Sequence, residues 1–117
     1  MFRVIIAGTR TFNDYKLLQE TMDHLLQNID DEIVVICGEA RGADTLGKKY
    51  ARERGYKVRS YPANWILYGK KAGIVRNRLM ARNADALTAF WDGSSTGTAH
   101  MIKEAKDRGL KVRVKKY

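Results

Sequence analysis

Five short runs decide what this chain can become: Arg3–Ala7, Ile33–Cys37, Lys57–Tyr61, Ala86–Trp91 and Leu110–Val114. Each is rich in β-branched or apolar residues and bounded by glycine, proline or a polar cluster, the pattern of a strand. Between consecutive runs, apolar residues recur at three- and four-residue steps, the spacing of a helix face. Tyr15, Leu18, Met22, Leu25, Leu26 and Ile29 form the first such face, with Asn13 or Asp14 as its cap, and Asp30–Asp31–Glu32 closes it. Ala43, Leu46, Gly47, Tyr50 and Ala51 form a second of small residues, ended by Gly55. A third helix, about residues 72–83, is expected to turn Val75, Leu79 and Met80 inward. A fourth starts at Gly97, buries Met101, Ile102 and Ala105, and stops at Gly109. The order βαβαβαβαβ with short connections predicts an α/β protein: one domain over residues 1–117, a doubly wound parallel sheet of about five strands with helices on both faces.

In such sheets, ligands bind beyond the carboxyl ends of the strands, where the winding reverses. The glycine- and hydroxyl-rich turns of this sequence follow the first, second and fourth runs, all on that edge. They are Gly8–Thr9–Arg10–Thr11, Gly38–Glu39–Ala40–Arg41–Gly42–Ala43–Asp44 and Asp92–Gly93–Ser94–Ser95–Thr96–Gly97–Thr98. The connections on the other edge (Asp30 to Glu32, Gly55–Tyr56 and Gly109) are short and unremarkable. A strand that empties into glycines and opens a helix suits an anion, because the first helical N–H groups lack partners and the dipole favours negative charge. Ser95, Thr96 and Thr98 add hydroxyls, and the glycines admit a phosphate close to the backbone.

The net charge of +9 is unevenly spread: residues 1–40 balance at −4, whereas residues 41–59 and 101–117 each balance at +5. Lys70, Lys71, Arg76, Arg78 and Arg82 have no acidic neighbour in sequence. Such a field attracts a polynucleotide or a small phosphate ligand, or serves as a solvated surface. No apolar run approaches the ~20 residues of a membrane span, and the first residues lack a signal-peptide pattern, so a cytoplasmic protein with no membrane partner is expected. Cys37 is alone and lies in an apolar run, which reads as a buried strand residue. With two distant histidines it offers no metal site.

Individual residues leave choices open. Arg76 can fork onto a phosphate, Asn77 can meet a ribose or brace a loop, and Arg10 can meet a phosphate or pair with Asp44 or Asp92. Asp44 can cap a helix or contact a ribose. Trp65 and Tyr68, among lysines, can stack on a base or form a subunit contact. His24 reads as an exposed helix position, and His100 as an exposed helix position or a proton donor.

Four ordered blocks carry a resemblance. Gly8–Thr9–Arg10–Thr11–Phe12 matches a G-x-R-x-F turn, and Gly38 to Asp44 resembles a G-G/x-A-x-G-A-D turn. Trp65 to Met80 is similar to a W-x-x-Y-G-K-x-A-G-x-x-R-N-x-x-M block, and Trp91 to Thr98 to a W-D-G-x-S-x-G-T turn. Together they resemble the YspA/cpYpsA-related branch of the SLOG superfamily. The resemblance implies a Rossmann-like domain that binds nucleotides or nucleotide-derived ligands, often as a homo-oligomer. The superfamily includes sensors of ADP-ribose-type signals in bacterial and phage conflict, phosphoribohydrolases of the LOG type, and a DNA-processing protein that holds single strands.

The hydrolases carry a turn G-G-x-G-T-x-x-E whose glutamate takes part in catalysis, and here Met101 stands at that position. They also carry an R-K-x-x-M core where this chain has Arg76–Asn77–Arg78–Leu79–Met80. The lost carboxylate speaks against that chemistry, so no catalytic residue, metal or cofactor is assigned. The expected ligand site comprises Gly8, Thr9, Arg10, Gly38, Gly42, Ala43, Asp44, Trp65, Arg76, Asn77, Asp92, Gly93, Ser95, Gly97 and Thr98. The expected ligand is a small nucleotide-derived phosphate compound that is sensed or sequestered. The alternatives are a phosphoribohydrolase or N-glycosidase, then a single-strand nucleic-acid binder.

Overall fold

Alternating apolar side chains on the strands face two different helical layers, which is what a doubly wound sheet requires. The computed structural model describes residues 1–117. Its elements are β1 (Phe2–Gly8), α1 (Tyr15–Leu26), β2 (Ile33–Cys37), α2 (Ala43–Arg54), β3 (Lys57–Ser60), α3 (Trp65–Tyr68), α4 (Ala72–Arg82), β4 (Ala86–Trp91), α5 (Thr96–Asp107) and β5 (Lys111–Lys116). All neighbouring strands pair in parallel, in the order β3-β2-β1-β4-β5. The chain winds outward from β1 to β3, then crosses back to β4 and continues to β5. Winding therefore reverses between β1 and β4, and right-handed crossovers put α1 and α2 on one face and α4 and α5 on the other.

Val4, Ile6, Val35, Cys37 and Phe90 form one core with Leu18 and Met22 of α1 and Tyr50 and Ala51 of α2. Ile5, Ala7, Ile36, Leu87 and Ala89 form the second with Met80 and Ala81 of α4 and Met101, Ile102 and Ala105 of α5. Each large apolar side chain buried this way contributes about 1.5–3 kcal/mol. Two glycines set how closely α2 can approach. A Cβ at Gly47 would stand 2.9 Å from Ile6 Cγ2, and one at Gly8 would strike the Phe90 carbonyl and come within 2.9 Å of Ala43 Cβ. The edge strands are largely exposed and basic: Lys57 and Arg59 on β3, and Lys111, Arg113, Lys115 and Lys116 on β5.

Several boundaries differ from the sequence-based expectation. Ser95, not a later residue, caps α5 by accepting from Thr98 N, so the helix starts at Thr96 instead of Gly97. Ile29 lies beyond the end of α1. Residues 65–71, between β3 and α4, make a helical turn capped by Asn64 and then a 3-10 turn over Gly69–Lys71. Leu79 is exposed, because α4 buries Ala72, Asn77, Met80 and Ala81 instead. A polar Asn77 on the inward face defeats a reading based on apolar spacing. Cys37 is buried, and burial pushes its thiol up to about 12. No helix is long and apolar enough to cross a membrane.

Candidate anion-binding cleft

The loops after β1 and β4 diverge to opposite faces at the point of reversal, and a cleft of about 670 Å³ opens between them. Its walls come from the β1 loop, the β2–α2 loop, α3 and α4, and the start of α5. Every site residue expected from the sequence lines it except Gly38, Gly42, Ala43 and Gly93. Those four shape the loops instead. The Gly38 carbonyl accepts from Arg76 Nη1. Gly42 has φ 71° and packs under the Thr9 and Arg10 carbonyls, and Ala43 is fully buried. Gly93 turns with φ 88°.

Asp92 organises the β4 loop by accepting from Ser94 N and Ser95 N, both at 2.8 Å. These amides, first from Ser95 and then from Ser94, hold its carboxyl below the ordinary range. Thr9 ties this loop to β1: its hydroxyl accepts from Asp92 N at 3.2 Å, and its own N–H donates to Phe90 O. The Ser95 and Thr98 hydroxyls lie 3.1 Å apart and satisfy each other, so they are less free for a ligand than the sequence suggested. Thr96 is exposed in the cleft without a side-chain partner, and the Thr96 and Gly97 amides have no intrahelical acceptor.

The cations are arranged asymmetrically. Arg10 and Lys70 line the cleft and form no ion pair with any carboxylate, so of the two choices open to Arg10 the pairing with Asp44 or Asp92 does not occur. Arg76 is half-buried and donates from Nη1 to Gly38 O and from Nε to Asn77 Oδ1 at 3.0 Å. Burial holds its guanidinium below the ordinary value; Asp44 opposes this and Arg10 adds to it. Asp44 is buried, accepts from Ala40 N at 3.1 Å, and has its carboxyl raised by burial. The lining therefore sets three cations, Arg10, Lys70 and Arg76, against the two carboxylates Asp44 and Asp92.

Two glycines of the lining have no structural reason to be glycine. Gly73 and Gly97 sit second in α4 and α5, outside the left-handed region, and a Cβ at either meets no atom within 4 Å. Each opens onto the cleft. Trp65, 55% exposed, stands at the rim, while Tyr68 is exposed outside the lining. His24 is exposed as expected, but His100 is half-buried and lines the cleft, hydrogen-bonded to Asn77. Lys70, Gly73, Ile74 and Thr96 also line the cleft. The lysine and glycine lie in the block that carried the resemblance, and their role there was visible only as a pattern. No group of His, Cys, Asp and Glu side chains is arranged to hold a metal ion.

A parallel Rossmann-like sheet whose reversal point holds a cation-rich, glycine-lined cleft defines a class of nucleotide-related α/β domains. Within that class the chain belongs to the YspA, cpYpsA-related SLOG family, whose model matches residues 2–68. It is 37% identical over 118 residues to the Gene 61 protein of Mycobacterium phage D29, covering 96% of this chain and 94% of that protein. Its fold resembles the X-ray structure of DNA processing protein A from Streptococcus pneumoniae, with a TM-score of 0.74 at 16% identity. That alignment covers 97% of this chain and 49% of the other, so this chain spans about half of that protein.

Proposed function

We propose that the chain holds a small nucleotide-derived ligand by its phosphate in this cleft, as a sensor or sequestering protein for an ADP-ribose-like, cyclic or mononucleotide signal. The observation that carries this is the pair Gly73 and Gly97. Each forgoes the helix stability an alanine would give, up to about 1 kcal/mol, and leaves open space on the cleft, at Gly97 beside the unpaired Thr96 and Gly97 amides. Arg10, Lys70 and Arg76 supply the counter-charge, and Trp65 offers a face for the base. Residues 1–117 act as one binding unit in this reading. In this reading the chain, which is similar to a phage protein, works in phage–bacterial conflict within the cytoplasm. A thermal-shift screen of adenosine nucleotides, cyclic nucleotides and ADP-ribose at near-physiological salt should find a stabilising compound. A full library that shifts nothing overturns the reading.

Binding is favoured over phosphoribohydrolase or N-glycosidase chemistry because Met101 occupies the glutamate position of the LOG-type turn. Glu104, one turn on, is engaged by Arg78 and His100. Release of free base from nucleoside monophosphates, abolished by Asp92→Asn, would reverse that preference. Exposed Trp65 and Tyr68 beside Lys70 and Lys71 favour single-strand nucleic acid as the second reading. Such binding should fall with salt at a log–log slope of roughly −0.7 per neutralised phosphate. Ile66, Leu67, Ile74 and Leu79 extend this exposed apolar surface and support a homo-oligomer. Light scattering showing a monomer at micromolar concentration counts against it.

A further inference from the structure

The polar contacts beneath the cleft run in one direction, and that direction constrains His100. Arg76 Nε–H can only donate, so the Asn77 oxygen must face it, at 3.0 Å. The Gly97 carbonyl can only accept, so the Asn77 amide nitrogen must face it, at 3.4 Å. Two independent partners thereby fix the Asn77 side chain, which is 6% exposed and has no room to find others. Its second N–H points at His100 Nδ1, 3.1 Å away. That nitrogen must therefore carry a lone pair, and the ring proton sits on Nε2. Nε2 faces Glu104 Oε1 at 3.4 Å, and the same oxygen accepts from Arg78 Nε at 3.1 Å.

We propose that His100 is a positioning residue for Arg76. Acting through Asn77, the Nδ1 lone pair of a neutral His100 locks the guanidinium so that its free edge serves a ligand phosphate. The inference rests on the phosphate reading of the cleft. It follows that His100 does not serve as a proton donor to the ligand, since both ring nitrogens are committed. It also follows that a second proton on the ring sets two N–H groups face to face across 3.1 Å. Relief requires the Asn77 amide to turn over, which points N–H groups at Arg76 Nε–H and breaks the brace. The charged groups that bear on the ring are Glu104 and Arg78 on its outer side and Arg76 beyond Asn77 on its inner side. A protonated ring strengthens the contact it already makes with Glu104 and loses Asn77.

The first test needs no ligand. Long-range proton–nitrogen NMR of the full chain should show His100 as the Nε2–H tautomer and a slowly exchanging Arg76 Nε–H. In His100→Leu the latter should exchange at least tenfold faster. An Nδ1–H tautomer, or an Arg76 signal indifferent to His100→Leu, overturns the proposal outright. The second test measures ADP-ribose binding by calorimetry at about pH 8. His100→Leu should bind about fivefold more weakly than wild type, one neutral hydrogen bond's worth. His100→Asn, whose amide oxygen can replace Nδ1, should recover most of that. Arg76→Ala that binds like wild type refutes the phosphate site itself. Arg76→Ala that fails to bind, with His100→Leu unaffected, refutes only the positioning role.

Discussion

Replacing Gly97 by valine separates ligand contact from scaffold. The residue is second in α5, and a Cβ there meets no protein atom within 4 Å, so the folded state accepts the side chain without a clash. Helix propensity favours valine over glycine by up to about 0.5 kcal/mol, which raises the melting temperature by roughly 2 °C in a domain this size. The same side chain occupies the open space beside the unpaired Thr96 and Gly97 amides. A phosphate that needs those amides can no longer reach them. For the wild type, a ligand at 100 times Kd stabilises by about 2.7 kcal/mol, or roughly 10 °C. The variant should start slightly higher and gain almost nothing. Differential scanning fluorimetry with and without the stabilising ligand measures both numbers on one plate. A Gly97→Val protein that shows the full ligand shift places the phosphate elsewhere and removes the main support for the proposed site.

Arg76→Ala should weaken ligand binding by about 1.5–3 kcal/mol, the range for a hydrogen bond to a charged group. It should also lower the melting temperature, because Gly38 O and Asn77 lose their donor and Asp44 its nearby cation. Met101→Ala empties a site that is 1% exposed and should cost roughly 2–5 kcal/mol in denaturant titration, with ligand binding retained. Asp85→Asn is a control on the opposite edge. Its carboxylate accepts from Arg3 N, Nε and Nη2 at 2.9, 3.1 and 3.0 Å, and the Arg3 hydrogen bond holds its pKa below the ordinary value. A folded pKa lowered in this way contributes stability above the unfolded value of about 3.9 that is lost as pH falls through the folded one. The variant should therefore be less stable than wild type at pH 7, converge with it in acid, and bind ligand normally.

Strand positions were legible because burial on both faces of β1, β2 and β4 demands unbroken apolar runs, which few other structures tolerate. The edge of the sheet that carries the cleft was legible from the turns alone. What local pattern could not show is how polar groups spend their hydrogen bonds. Ser95 and Thr98 look like ligand hydroxyls in sequence and turn out to cap a helix. Gly38 and Gly42 look like phosphate glycines and turn out to make room for Arg76 and for the β1 loop. Leu79 and Asn77 exchange the places that hydrophobic spacing assigns them, since Asn77 is drawn inward by Arg76, His100 and the Gly97 carbonyl. Such partners lie 20 or more residues away from each other in places, beyond the reach of any window.

The basic edge strands change what the net charge of +9 means. Six of the cations belong to β3 and β5 (Lys57, Arg59, Lys111, Arg113, Lys115 and Lys116), remote in role from the cleft, where only Arg10, Lys70 and Arg76 stand. Unpaired strand edges invite further strands, and rows of long cations make that addition unfavourable through repulsion and the cost of stripping water from each charge. Much of the excess charge thus works as a fence that keeps the sheet five strands wide. Two such fences disfavour assembly through the sheet edges and leave the helical faces and loops as the surfaces open to a second copy.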